Sequence, residues 1–462
     1  MKRGVIIIAG IVLLVIVTIV AIIIARSGSD TPTSTTIKVW SPYDESKAWD
    51  KLAQTYLMEN TDVKLEYKYI EANDAKDYEA KVVNAIASGN GPDIWLVRND
   101  WLLKHQTKLA PASDYVTWSD DKNTTEEDAL KDIFGDNLAS QNIIDGKLYG
   151  FPVAIDSLAL YINTEIVRAV QDEFSEQENY AAIELISSDP KTWAELTEWV
   201  KLVNKRSGSS FSRSGIALGT VDNTYAATDI YLAMLAQYGG NLYSEDGKNV
   251  ALNLAGTANG STVFPAQQAL ALYSSFAKAD SANYSWNSSM GDPVTAFAQG
   301  KVAAIIGYSS MYNQIRQVNK KLESIKVLSL PQVKDLDLGG DRIDYAAYYT
   351  ATVSKTSNNP AIAWEFLKSL DTTVVDEYAK ASLKPTTNQL DITNESKSLS
   401  TGFGQTDLFA QQVLWSAKII KPEWQGVDQA IQDCINQIVV QNQSIVTAID
   451  NATDKLKKVI GQ

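Results

Sequence analysis

The sequence predicts an α/β fold in which helices cover a parallel sheet, exported behind an N-terminal apolar segment. Strand-like and helix-like periodicities alternate from residue 37 onward, and a run of 21 residues without a charge, Val5 to Ala25, precedes them. With 45% hydrophobic and 21% charged residues, the composition supplies apolar material for real cores and excludes a disordered polyelectrolyte. A chain of 462 residues allows two to four folding units at roughly 100 to 200 residues each.

The apolar run spans roughly 32 Å as a helix, enough to cross a hydrocarbon core of about 30 Å. It is longer than the roughly 7 to 15 apolar residues of a cleavable signal and stays rich in Ile and Val to Ile24, so we read an uncleaved anchor, with a long signal peptide as the alternative. Lys2 and Arg3 outweigh Arg26 and keep the first residues in the cytoplasm, which places residues 27–462 outside the cytoplasm on a single-pass anchor. Residues 26–36 are polar and read as a flexible tether.

Ile37 to Trp40 reads as a short strand. Trp49, Leu52, Ala53, Tyr56 and Leu57 then follow helical spacing. Val63, Leu65, Tyr67 and Tyr69 alternate as in a half-buried strand. Tyr78, Val82 and Ile86 share a helical face closed by the breaker Ser88 to Pro92, and Asp93 to Val97 is a further strand. This order implies a parallel sheet, whose ligands settle beyond the carboxyl ends of its strands. The loops Ser41 to Glu45 and Arg98 to Trp101 are therefore candidate site loops, and they hold Tyr43, Asp44, Glu45, Asn99 and Asp100.

A second series follows. Thr192 and Glu195 fit a capping box opening a helix, Tyr231 to Tyr238 is helical up to Gly239-Gly240, and Ala303 to Ile306 is an apolar strand. Tyr345 to Val353 is strand-like, Asn359-Pro360 starts a helix, and the chain ends in helices around Gln411 to Ser416 and Val427 to Val440. Trp49, Trp193 and Trp199 lie on helices and are expected in the core. The acidic stretch Thr117 to Asp132 reads as a surface excursion.

The net charge of −14, or −16 beyond residue 36, argues against a nucleic-acid partner. One Cys and one His remove disulfides and most metal and thiol chemistry. His105 has no Gly-x-Ser-x-Gly elbow to serve, no phosphate-binding glycine loop occurs, and Cys434 sits with Ile431, Ile435 and Ile438 as a buried thiol would. No catalytic residue, metal or cofactor is expected. Paired carboxylates of a glycosidase stay open, because many acidic pairs exist and nothing selects one. Aromatic residues beside polar neighbours point elsewhere. Trp286 in Tyr284 to Ser289 and Tyr308 in Gly307 to Ser310 suit stacking on a sugar's C–H face beside hydroxyl and amide groups. Ordinary packing is the alternative for each, as it is for Trp415 and Trp424.

Seven segments in order carry a resemblance: Ile37 to Trp40, Ala87 to Ile94, Asp145 to Pro152, Ser157 to Asn163, Pro190 to Leu196, Phe297 to Ala304 and Ala361 to Leu367. Together they resemble the family 1 extracellular solute-binding proteins of ABC importers, the maltodextrin-binding-protein-like group. The resemblance implies a two-lobed periplasmic-binding-protein-like fold with crossing hinge strands and ligand held between the lobes. It places lobe 1 at 37–155 plus 331–372 and lobe 2 at 156–330 plus 373–462. Residue by residue it implies ligand contacts from Tyr43, Asp44, Glu45, Asn99, Asp100, Asp156, Asp229, Tyr308 and Trp415, with small residues after Tyr308 where relatives carry Trp. The expected partners are a carbohydrate or related polar solute, a permease of an ABC importer, and the lipid bilayer through residues 5–25; a monomer without enzymatic chemistry is expected. A glycan-binding adhesion or sensor protein and a glycoside hydrolase are the rival functions.

Overall fold

The computed structural model describes residues 34–462 apart from 120, 122, 209, 259, 335–340, 371, 383, 386 and 388–405. The expected membrane segment, residues 5–25, lies outside the described residues; among the described ones no helix is long and apolar enough to cross a membrane.

Two sheets organise the chain. The first has the order Tyr349–Val353, Ile94–Arg98, Thr35–Ser41, Val63–Tyr69. Thr35–Ser41 runs parallel to both Val63–Tyr69 and Ile94–Arg98, as the alternation of elements predicts, and Tyr349–Val353 adds an antiparallel edge. Helix Ser46–Glu59 buries Trp49, Leu52, Ala53 and Tyr56, and helix Ala75–Ala87 buries Tyr78, Val82 and Ile86, the apolar faces read from the sequence. The second sheet is mixed: Ile325–Ser329, Ala159–Asn163, Val302–Gly307, Ser210–Ile216 and Lys205–Ser207, in that order. Val302–Gly307 pairs in parallel with Ser210–Ile216 and antiparallel with Ala159–Asn163. The capping box of Thr192 and Glu195 is formed in full, and Trp193 and Trp199 are buried behind it.

Each sheet has its own core. The first gathers Ile37, Val39, Trp49, Ile94 and Trp364; the second gathers Leu160, Trp193, Trp199, Tyr231 and Tyr273 together with Val427, Ile431 and Ile435 of the C-terminal helices. Each such side chain contributes about 1.5 to 3 kcal/mol on burial, so each core is a separate stabilising unit. Cys434 is buried in the second, which pushes its thiol up to about 12. Two expectations fail here. Tyr378, Ala410 and Val413 pack into the first core although the expectation places 373–462 in the second lobe, while Phe409, from the same helix as Ala410 and Val413, packs against Tyr161 of the second sheet. The surface excursion ends in a capped helix, Glu126–Phe134, whose Leu130 and Phe134 also enter the first core; Ala129, Leu130 and Phe134 form an apolar stripe among the acids.

Among the described residues, three segments pass between the cores side by side. Ser157 bridges Ala346, Asp344 bridges Ser416, and the Gln412 amide donates to Ser157 Oγ at 3.0 Å and to the Leu158 carbonyl at 2.9 Å. These crossings carry Asp156, Tyr345 and Trp415 into the seam between the cores.

Candidate ligand-binding site

The carboxyl ends of the strands in the first sheet meet the second core across this seam. One cavity, of about 360 Å³, is lined from the first side by Tyr43, Glu45, Arg98, Tyr349, Tyr378 and Lys384. From the second side it is lined by Tyr225, Tyr308, Ser309, Ser310 and Asn313, and Asp156 lies between them. Such volume and such a mix of aromatic walls with few polar groups fit a small-molecule site.

Asp156 is half-buried, and its carboxylate is held by protein donors alone. Ser309 donates its backbone N–H at 3.1 Å and its hydroxyl at 2.7 Å, and the Ser157 N–H donates at 2.9 Å. Burial pushes its pKa up to about 7, against the pull of those donors and of Lys384. Lys384 pairs instead with Glu45 at 2.6 Å and stands 3.6 Å above the Tyr43 ring; burial lowers its pKa and Glu45 opposes this. Tyr378 donates to the second Glu45 oxygen at 2.7 Å. A carboxyl group titrating near 7 can accept a hydrogen bond when ionised and donate one when protonated, which suits a ligand rich in hydroxyls.

Next to the cavity stands an ion network. Arg98 reaches Asp229 at 2.9 Å and Asp100 at 2.8 Å; Lys421 reaches Asp100 at 2.9 Å, Asp428 at 3.0 Å and Asp229 at 3.6 Å. Tyr308 and Tyr345 donate their hydroxyls to Asp229 at 2.7 and 2.9 Å. Burial would raise the pKa of Asp229, but Arg98 and Lys421 hold it down at about 2. Helix Ala227–Gln237, which presents Asp229, begins at Ala226 with φ +51°, a left-handed conformation that costs a non-glycine residue about 1 to 2 kcal/mol. That turn sets Tyr225 in the cavity and, one helical turn on, Asp229 in the network. A second cavity, of about 320 Å³, lies beyond the network and is lined by Asn99, Asp100, Gln141, Tyr345, Lys418 and Lys421 with Glu245 and Asp246.

Of the ten residues marked from the sequence, Tyr43, Glu45, Asp156 and Tyr308 line the first cavity. Asp44 is exposed outside it. Asn99 and Asp100 line the second cavity, and Asn99 is spent on structure: its amide donates to Gln141 at 2.9 Å and it accepts from the Tyr348 N–H at 3.0 Å. Asp229 is consumed by the network. Trp286 is a core residue, not a stacking platform: it is fully buried among Tyr161, Phe297 and Ile305, and its indole N–H donates to the Asn223 carbonyl at 2.9 Å. Its polar neighbours in sequence turn back onto the protein, as Ser285 does onto Ser214 at 3.1 Å, so the absence of periodicity did not mean exposure. Trp415 lies outside both cavities, 41% exposed, with Arg342 4.8 Å over its ring. Trp424 is structural as well, stacked on Trp101 at 4.5 Å and donating to Glu79, which also holds His105 at 2.8 Å. Lys384, Tyr225, Arg98 and Lys421 were not marked, since each is one of many similar residues whose role depends on what lies across the seam.

Residues 40–372 match the bacterial extracellular solute-binding protein family. The chain belongs to that family. Among curated relatives it is similar to the maltodextrin-binding protein MdxE of Bacillus subtilis, 24% identical over 309 residues, 65% of this chain; the match spans 61% of that relative's length. Among solved structures it is similar in fold to the cyclic alpha-maltosyl-1,6-maltose binding protein of Arthrobacter globiformis, with a TM-score of 0.71, 19% identity and coverage of 92% and 99% of the two chains. An ABC transporter solute-binding protein of Thermotoga lettingae bound with alpha-D-tagatose gives 0.65 at 19% identity, covering 93% and 100%. Lys384 and Lys421 lie beyond the span matched by the family, in the part of the chain that returns to the seam.

Proposed function

We propose that this solute-binding protein takes a carbohydrate into the Asp156 cavity by closing two lobes around it and delivers it to the permease of an ABC importer. One observation carries the reading: the cavity is assembled from both cores, with hydroxyls, aromatic faces and a carboxyl held by neutral donors. Hydroxyl-rich ligands need that combination, and ligand contacts on both sides make closure and binding one event. The sugars named for the relatives support carbohydrate as the ligand class. Of the described residues, we assign those in 34–155 and 346–413 to the first lobe, those in 158–344 and 418–462 to the second, and the three crossings to the hinge. Residues 5–25 would anchor the chain at the outer face of the membrane, where a permease is encountered.

A thermal-shift screen over mono- and oligosaccharides, followed by calorimetric titration, tests the ligand class, because a ligand of the native state raises stability by RT ln(1 + [L]/Kd). A saccharide that raises Tm and lowers the radius of gyration in solution scattering is the expected result. Silence across the screen overturns the carbohydrate reading, and binding without compaction overturns the hinge. For the anchor, full-length protein should stay with membranes through an alkaline carbonate wash; a mature N-terminus near Ser27 would overturn it.

A further inference from the structure

We propose that the Arg98–Asp229 ion pair is a septum that limits the length of the bound sugar, confining it to the Asp156 cavity. The inference rests on the carbohydrate reading above and adds to it a substrate class, a short saccharide.

The two cavities belong to one seam. The same crossing strand lines both: Ala347 faces the first, and Tyr345 and Ala346 face the second. Consecutive residues of one loop do likewise, Arg98 toward the first and Asn99 and Asp100 toward the second. Tyr308 lines the first cavity and Tyr345 the second, yet both hydroxyls end on the one carboxylate of Asp229. The ion network is therefore the wall the two cavities share, and without it they would form one continuous cleft.

The wall is closed by chemistry as well as by volume. Arg98 is engaged by Asp229 and Asp100, and Lys421 by Asp100 and Asp428, so these groups hold their partners in the protein rather than offering them to a ligand. A sugar chain passing from one cavity to the other has to part charges that are enclosed, and an unpaired enclosed charge is strongly unfavourable. Asp156, which lines the first cavity, is held instead by Ser309 and the Ser157 N–H. Each cavity alone, at about 360 and 320 Å³, falls near the lower end of the ~300 to 1,000 Å³ typical of ligand sites, which suits a short saccharide in one of them.

The experiment titrates glucose, maltose, maltotriose and maltotetraose, and mannose, mannobiose and mannotriose, together with any hit from the screen, against two proteins by calorimetry. One is wild type. The other is the paired variant Arg98→Met/Asp229→Ala, which removes one charge of each sign and leaves Lys421 with Asp100 and Asp428. Wild type should bind the mono- or disaccharide of its series at least tenfold more tightly than the tri- or tetrasaccharide. In the paired variant that ratio should fall at least tenfold, a change that general loss of stability does not produce because it moves all lengths together. A wild type that binds longer chains as tightly as short ones overturns the septum, and so does a folded variant with an unchanged ratio. If the variant fails to fold, the wild-type ladder alone decides. No binding of any saccharide by wild type rejects the carbohydrate reading itself, and the septum with it.

Discussion

Asp156 and Asp229 are the same residue type in the same seam, and they titrate at opposite ends of the carboxylate range, near 7 and near 2. Burial acts on both in the same direction. What separates them is the company each keeps: serine and backbone donors around Asp156, two cations and two phenols around Asp229. The Asp229 carboxylate is saturated by the protein's own charges, whereas Asp156 lines the first cavity among neutral donors. The family resemblance, which marked both, does not tell them apart.

The largest effect that sharpens this comparison is on stability. Asp229→Ala leaves Arg98 and Lys421 enclosed with less counter-charge and should cost about 3 to 5 kcal/mol in urea unfolding, as the breaking of buried pairs does. A cost under about 1 kcal/mol would mean that the network is solvated and not a wall.

Asp156→Ala should do the reverse. Removing a hydrogen bond to a charged group, worth about 1.5 to 3 kcal/mol, should weaken binding of the identified sugar about 10- to 150-fold in calorimetry. The melting temperature of the ligand-free variant should not drop, because the wild-type carboxyl is held in an environment that resists its charge. Wild-type affinity in the variant would remove Asp156 from the site.

A smaller effect is carried by pH. For Asp156, raised to about 7, and Asp344, raised by burial to about 6, the stabilising contribution is complete below the unfolded pKa near 4 and is lost as pH rises through the folded value. Asp229 and Glu79, both held near 2, have the opposite sign: their contribution is present above about 4.5 and is lost as pH falls through their folded values. Ligand-free protein should therefore melt higher at about pH 5.5 than at about pH 8, and lower again below about pH 4. In Asp156→Asn the upper part of that rise, between about pH 8 and 6.5, should flatten; an unchanged profile would show that Asp156 is ionised throughout.

Smallest of all is Trp415→Ala. An exposed ring under Arg342, outside both cavities, should change stability and affinity by no more than about 0.5 kcal/mol. A tenfold loss of affinity would return Trp415 to the site.

Most of the local elements are legible along the chain. The faces of Trp49 to Tyr56 and of Tyr78 to Ile86 and the capping box at Thr192 follow from spacing, since a half-buried helix packs one stripe and the apolar residues record which, and the parallel core of the first sheet follows from the alternation of elements. The buried Cys434 was legible for the same reason. The order of the family segments carried the two-part architecture and the membership that residues 40–372 show. What crosses the seam is set by folding alone. Trp286 looked exposed because its partners, Asn223 and the strand Val302–Gly307, are remote in sequence. Tyr378 and Val413 returned to the first core although they follow the last crossing predicted for it. Asp156 and Asp229 acquired different roles from Ser309, Arg98 and Lys421, which the chain brings together from over 300 residues of separation. Burial patterns repeat within a few residues and can be read along the chain, whereas the charge and pKa of an enclosed carboxylate are set by neighbours that only folding supplies.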